Sequence, residues 1–303
     1  MIRTVLGDIS KDELGFTLAH EHLILDLDWV RKDGVSFIQD VNEVIPEIAM
    51  AQKQGIEAVF EVSTIDMKRD VKKLKEISER TGLKIVCSTG YYLAEYHPES
   101  LNEATPEEIA EVYIKELTEG IDGTDIRAGL IAEIASSPDE FVGNEKKILE
   151  AAAIASVKTS FAVSTHTGRP NAAETVEILL KGGVDPDKII IGHQDLIDDH
   201  DYHLSLLRYG VNIAFDTCGK VAYMPDETRA MNALKLVEAG YEDHLLLSND
   251  ISRRTYFTSF GKQGYLAVMG SVVPLMREYG ISEETIRKFL KDNPARIVNN
   301  SRI

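Results

Sequence analysis

Near the start of the chain, Thr17-Leu18-Ala19-His20-Glu21-His22-Leu23 sets a His-x-His pair inside an apolar run. On a β-strand successive side chains alternate between faces, so His20 and His22 share one face while Glu21 points to the other. Two imidazoles placed in this way suit one metal ion, and hydrogen bonding at a polar strand end is their alternative use. Further donors close other β-rich runs: Gly129-Leu130-Ile131-Ala132-Glu133-Ile134, Ser164-Thr165-His166-Thr167, Ile191-Gly192-His193-Gln194-Asp195 and Leu247-Ser248-Asn249-Asp250. Four histidines and two carboxylates exceed what one catalytic ion can use while keeping a position open for water. They suit two ions about 3.5–4 Å apart, joined by a carboxylate and a hydroxide. Zinc is the first choice for such donors, with manganese, cobalt and iron as alternatives.

The elements that must position these residues alternate in type. Strands are expected near Phe16–Ile24, Ala58–Ser63, Lys84–Thr89, Arg127–Ile134, Phe161–Thr165, Ile189–Gly192, Asn212–Phe215 and Leu245–Asn249, each followed by an amphipathic helix. Thr105-Pro106-Glu107-Glu108 combines a capping box with proline at the first helical position. Helices are expected to stop at Gly82, Gly120, Gly182, Gly210, Gly240 and Gly280, where glycine takes the left-handed conformation that other residues resist. Eight such units in 303 residues, with no Gly-x-Gly-x-x-Gly after any strand, favour a closed barrel over an open doubly wound sheet. The expected architecture is α/β, a single-domain (β/α)8 TIM barrel over residues 1–303. Residues 1–14 form an N-terminal extension and 281–303 a C-terminal helix region. In that architecture catalytic groups sit at the C-terminal ends of the strands, where all the donors above fall.

Composition narrows the partners. A net charge of −17, from 33 Lys and Arg against 50 Asp and Glu, repels polyanions and argues against nucleic acid or an anionic membrane surface. No window approaches the roughly 18 apolar residues of a membrane span, and no signal peptide is visible at the start. Two cysteines, Cys87 and Cys218, form no disulfide framework and fit a reducing cytoplasm as buried apolar fillers. His97, His200, His203 and His244 lie away from the strand ends and are expected at the surface. A small-molecule substrate and a homodimer are the partners retained.

The quoted stretches, together with Asn293-Pro294-Ala295-Arg296, resemble the motifs of the phosphotriesterase family in the amidohydrolase superfamily, in order and spacing over nearly the whole chain. By that resemblance His20 and His22 hold the buried metal with Asp250, His166 and His193 hold the more exposed one, and a strand-four carboxylate bridges them. The phosphotriesterases proper bridge with a carbamylated lysine, whose place here is Ala132; Glu133 is the substitute, since a carboxylate offers the same two anionic oxygens. Its one-residue offset requires a bulge to turn the side chain inward, and an outward, salt-bridging Glu133 is the alternative. The implied reaction is hydrolysis by a bridging hydroxide, with Asp250 carrying the proton to the leaving group. The implied substrate is a carboxylic ester or lactone, including phosphorylated sugar lactones. A neutral organophosphate triester, an amide, or an inactive metal-binding barrel are the alternatives. Arg253, Arg254 and Lys220 are candidate anchors for an anionic substrate group, with Tyr92 as a pocket residue; pairing of those cations with loop acids is their other use.

Overall fold

In the computed structural model, which describes residues 1–302, the eight expected units close into one barrel. The strands are β1 (Thr17–Glu21), β2 (Ala58–Glu61), β3 (Lys84–Thr89), β4 (Leu130–Ala135), β5 (Val163–His166), β6 (Ile189–Ile191), β7 (Asn212–Phe215) and β8 (Leu245–Leu247). They lie in sequence order, and every paired neighbour is parallel. The architecture is a (β/α)8 barrel.

Period-two alternation along the strands divides the core in two. Ala19, Phe60, Val86, Leu130, Ala162, Ile190, Ala214 and Leu246, one from each strand or its immediate start, fill the interior, while Leu18, Val59, Ile85, Ile131, Val163, Ile213 and Leu247 pack outward with the helices. Below the strands, the N-terminal hairpin (Ile2–Thr4 with Gly7–Ile9) and the helix Asn293–Val298 supply Ile2, Ile297 and Val298 to that interior cluster. The extension expected over residues 1–14 is therefore the floor of the barrel.

The helices form for the local reasons read from the sequence. Thr105 accepts from the Glu108 N–H and Glu108 returns a bond to the Thr105 N–H, opening the helix Pro106–Thr118. The helix Arg169–Lys181 corrects one expectation. Gly182 keeps a right-handed φ of −69° and Gly183 takes the left-handed turn at +91°, so the reversal comes one residue later. His203 corrects another: it is fully buried in the helix His200–Leu207, its Nε2 2.9 Å from the Gln194 carbonyl oxygen. Its place at a helix start away from the strand ends concealed that the helix lays this face on the barrel, with the ring 5.5 Å from that of Phe215. Cys87 and Cys218 are buried free thiols, as expected.

Two strands depart from regular pairing. Between Leu18 and Glu21, β1 has one residue more than the facing Val59–Glu61 of β2; between Ile131 and Ile134, β4 has one more than Val163–Thr165 of β5. An extra residue lets two consecutive side chains face the same way. Ala19 and Ala132 belong to the interior cluster, and the next residues, His20 and Glu133, point into the barrel mouth.

The seam between β1 and β8 is closed by side chains rather than a ladder. Fully buried Glu21 accepts from Ser248 Oγ (2.7 Å), the Asn249 N–H (2.8 Å), Asn249 Nδ2 (2.9 Å) and the Ile251 N–H (3.1 Å). Ser248 Oγ lies 2.7 Å from the His20 carbonyl oxygen and 3.0 Å from its N–H. This capture of Ser248 and Asn249 ends β8 at Leu247, two residues before the expected limit. Glu21→Ala would leave several buried donors without partners, and a loss of about 3 kcal/mol is expected; equilibrium urea unfolding within 1 kcal/mol (roughly a fivefold ratio) of wild type would contradict the role.

Candidate metal centre

Each donor singled out in the sequence reaches the same rim. Glu133 lies at the middle, with Oε1 2.6 Å from His166 Nδ1, 3.2 Å from His20 Nε2 and 3.3 Å from His193 Nε2, and Oε2 3.7 Å from His22 Nε2. Asp250 Oδ1 lies 3.3 Å from His22 Nε2. Among the described residues three groups could hold an ion: His20, His22 and Glu133; Glu133, His166 and His193; and His20, His193 and Asp216. The first two share Glu133, the arrangement a pair of ions requires of a bridging carboxylate. The extra residue in β4 turns Glu133 inward, so the outward, salt-bridging alternative does not describe this side chain.

The local chemistry fits cations. Both ring nitrogens of His20 are buried without a hydrogen-bond partner; carboxylate oxygens of Glu133 and Asp216 lie 3.2 Å away, but neither contact has hydrogen-bond geometry. His166 Nδ1 and His193 Nε2 are 2.7 Å apart, so at most one of these lone pairs can be satisfied by the other ring's proton. Without an ion the cluster must hold protons instead. Burial opposes a charge on His20, yet Asp216 and Glu133 raise it to about 9. Burial likewise pushes Glu133 up, but His20 and His166 hold it well below the usual carboxylate range. Divalent ions would replace those protons on the imidazoles.

The surrounding groups aim the donors. His22 Nδ1 lies 2.9 Å from Ser63 Oγ, which donates to Glu61 at 2.6 Å, leaving Nε2 toward the centre. Asp216, at the end of β7, lies 2.8 Å from His193 Nδ1 and accepts from the His193 backbone N–H. Behind it, fully buried Arg229 bonds Asp195, and Asp195 in turn accepts from the Asp216 and Thr217 N–H groups. Asp216 is absent from the expected site, although its place just past Phe215, on the same rim as the other strand ends, is a signal the sequence contained. His193 and Asp250 both adopt left-handed backbone conformations, with φ of +59° and +50°.

Above the donors opens a cavity of about 380 Å³, lined by His22, Glu133, His166, His193 and Asp250 below and by loop residues around it. Tyr92 lines it, its ring 5.0 Å from that of His166; Tyr96 is buried behind. Lys220 and Arg253 line it too. Lys220 donates to Asp250, and that ammonium, against burial, holds the Asp250 carboxyl well below its ordinary range. Arg254 does not line the cavity: its guanidinium turns away to bond Glu43, because it begins a short helical turn (Arg254–Tyr256) that directs it toward the outer helix Val41–Lys53. Arg31 and Arg169 line the wall instead. Arg31 ends the short helix Asp28–Arg31 and Arg169 begins the helix Arg169–Lys181, and no local sequence pattern specifies that either faces the cavity.

Comparison with known proteins gives this arrangement its relatives. A profile of the phosphotriesterase family matches residues 1–298. The chain belongs to that family. It is 33% identical to the phosphotriesterase homology protein of Escherichia coli over 95% of this chain and 99% of that protein. The crystal structure of that protein, complexed with phosphate in the active site, superposes with a TM-score of 0.92 at 32% identity, covering 95% of this chain and 100% of that one. A lactonase from Listeria monocytogenes superposes with a TM-score of 0.93 at 28% identity, covering 99% of each chain. An N-acetyltaurine hydrolase from Danio rerio is 30% identical over 97% of each sequence. The protein is thus a metal-dependent hydrolase of the phosphotriesterase-like type. No helix among the described residues is long and apolar enough to cross a membrane.

Elemental analysis of the purified protein is expected to find about two divalent ions per chain, and one or none after reconstitution would contradict the shared-carboxylate geometry. Ser63→Ala removes the group that aims His22 without touching a donor. Its metal affinity, measured by chelator competition, is expected to fall about 10- to 100-fold.

Proposed function

We propose that the protein hydrolyses the acyl bond of a small anionic carboxylic ester or lactone, phosphorylated sugar lactones included, using two divalent ions. The observation that carries this reading is the gathering of two histidine pairs, His20 with His22 and His166 with His193, around one buried carboxylate on the floor of a cavity walled by cations. His20, His22 and Asp250 would hold one ion, His166 and His193 the other, and Glu133 both. The imidazole-rich set suits zinc. When bound, the ions would supply Lewis acidity to the scissile carbonyl and bring the pKa of water down to about 7.

The protein's own groups do the rest. Asp250, kept ionised beside Lys220, takes the proton of the attacking water and delivers it to the leaving oxygen. Glu133 stays a carboxylate and keeps the imidazoles oriented. Tyr92, packed on His166, forms the apolar side of the substrate's position. Lys220 and Arg253 favour substrates with an oxyanion remote from the scissile bond. A neutral organophosphate triester draws no benefit from those cations.

A second reading, hydrolysis of an anionic acyl amide, draws support from the N-acetyltaurine hydrolases among the relatives, whose substrate joins an acetamide to a sulfonate. The ester and amide reactions need the same donors and the same remote cation and differ in the leaving group. Two free, buried cysteines are compatible with a reducing cytoplasm.

The deciding experiment couples metal analysis to a hydrolysis screen of lactones with and without a phosphate group and of N-acyl amino sulfonates. Asp250→Asn is expected to fold normally and to lose at least about 10²-fold in kcat. A variant turning over at nearly the wild-type rate would assign the proton to another group.

A further inference from the structure

The cations around the cavity differ in one respect. Lys220 is bonded to Asp250, Arg169 pairs with Asp199 at 2.6 Å, and Arg253 lies 3.8 Å from Asp33. Arg31 lines the same cavity and, among the described residues, has no carboxylate within 4.0 Å. It is half-buried at the end of the short helix Asp28–Arg31, in the loop that follows the His-x-His strand.

The side chain is nonetheless held in place. Its Nε donates to Tyr96 Oη at 2.9 Å and its Nη1 to Ser36 Oγ at 3.3 Å, while Ser36 Oγ donates to Asp33 at 2.7 Å. Of the five N–H groups on a guanidinium, those two are used, and three are left without a protein partner. A half-buried cation loses hydration, and neutral oxygens return only part of it. The position also has a direction. Tyr96 packs on Tyr92 at 5.4 Å between ring centroids and Tyr92 packs on His166 at 5.0 Å, so a run of two aromatic rings leads from Arg31 to an imidazole of the metal centre. Arg253, from the opposite end of the chain, reaches the same Asp33 turn, which places both guanidinium groups on one wall.

We propose that Arg31 is a specificity-determining residue, the cation that grips the terminal oxyanion, phosphate or carboxylate, of the substrate while the scissile carbonyl lies over the metal centre. Arg31 was not among the candidates that the sequence offered. The chemistry is that of a pre-oriented fork: the guanidinium plane is fixed at its Nε side, and the donors left open face a ligand with two or more oxygens. Asp33 ties Ser36, and through it Arg31, to Arg253, so the first and eighth loops contribute to one anion subsite. This assignment rests on the acyl-hydrolase reading above, and the test separates the two.

The variants Arg31→Met and Arg31→Lys are compared with wild type, all metal-loaded and checked for equal metal content and thermal midpoint. Steady-state kinetics use a phosphorylated lactone, a carboxylated lactone and a neutral lactone; calorimetry uses ribitol 5-phosphate with ribitol as its neutral control. Arg31→Met is expected to lower the ratio of anionic to neutral kcat/KM by about 10- to 100-fold, mainly through KM, and to weaken ribitol 5-phosphate by a similar factor. Arg31→Lys is expected to recover part of both. Equal losses on anionic and neutral substrates, or unchanged ribitol 5-phosphate binding, would overturn the assignment and leave Arg31 as a support for Tyr96. Absence of lactone turnover in the wild type alongside Arg31-dependent ribitol 5-phosphate binding would overturn the lactone reading and keep the anion subsite.

Discussion

The site depends on one buried carboxylate that is not itself a metal-ligand candidate. Glu21 gathers four donors from the end of β8, and by doing so it closes the barrel where no strand ladder does. Because His20 and His22 flank Glu21 on β1, and Asp250 lies between the Asn249 and Ile251 groups it binds, the same contacts bring Asp250 to 3.3 Å from His22. Barrel closure and the approach of Asp250 to His22 rest on the same contacts. Residues far apart in the chain meet because a carboxylate without water must find donors, and the seam offers them.

Most of the chassis was legible from local chemistry. The period-two runs, the capping box at Thr105 and the glycines past the helices are short-range effects, and the structure has its strands within a few residues of the places they mark. The donors could be read because strand-end position and residue type coincide in a parallel barrel. What was not legible lies in the relation between segments. No pattern in Ile131-Ala132-Glu133-Ile134 specifies that β4 has one more residue than β5, which is a property of the pair. The fates of Arg253 and Arg254, one facing the cavity and its neighbour bonded to Glu43, depend on a turn and on a helix more than two hundred residues earlier. A lone arginine such as Arg31 carries no signature in sequence, since its partners Tyr96 and Ser36 are fixed only by the fold. Asp216, directly after Phe215, carries the same strand-end signal as the other donors.

Charge is distributed against the trend of the whole. A molecule with a net charge of −17 repels small anions at long range, yet Arg31, Arg169, Lys220 and Arg253 stand together at the mouth of the barrel. At physiological ionic strength the general field is screened over roughly 8 Å, whereas contacts inside a cavity are screened less. Inside the cavity the local set therefore outweighs the field of the acidic exterior.

His193 and Asp250 carry a different implication, for anyone who would engineer the molecule. Left-handed backbone suits glycine, asparagine and aspartate, so Asp250 adopts it readily, whereas at His193 it stores about 1 kcal/mol. A stability-guided redesign that places glycine wherever φ is positive would choose His193 early, relieving the strain while removing the imidazole that faces Glu133. Thermal tolerance and chemistry draw here on the same backbone position. Stabilising substitutions belong elsewhere, on the outer helices or the floor formed by the two chain ends, where packing can improve without touching the rim.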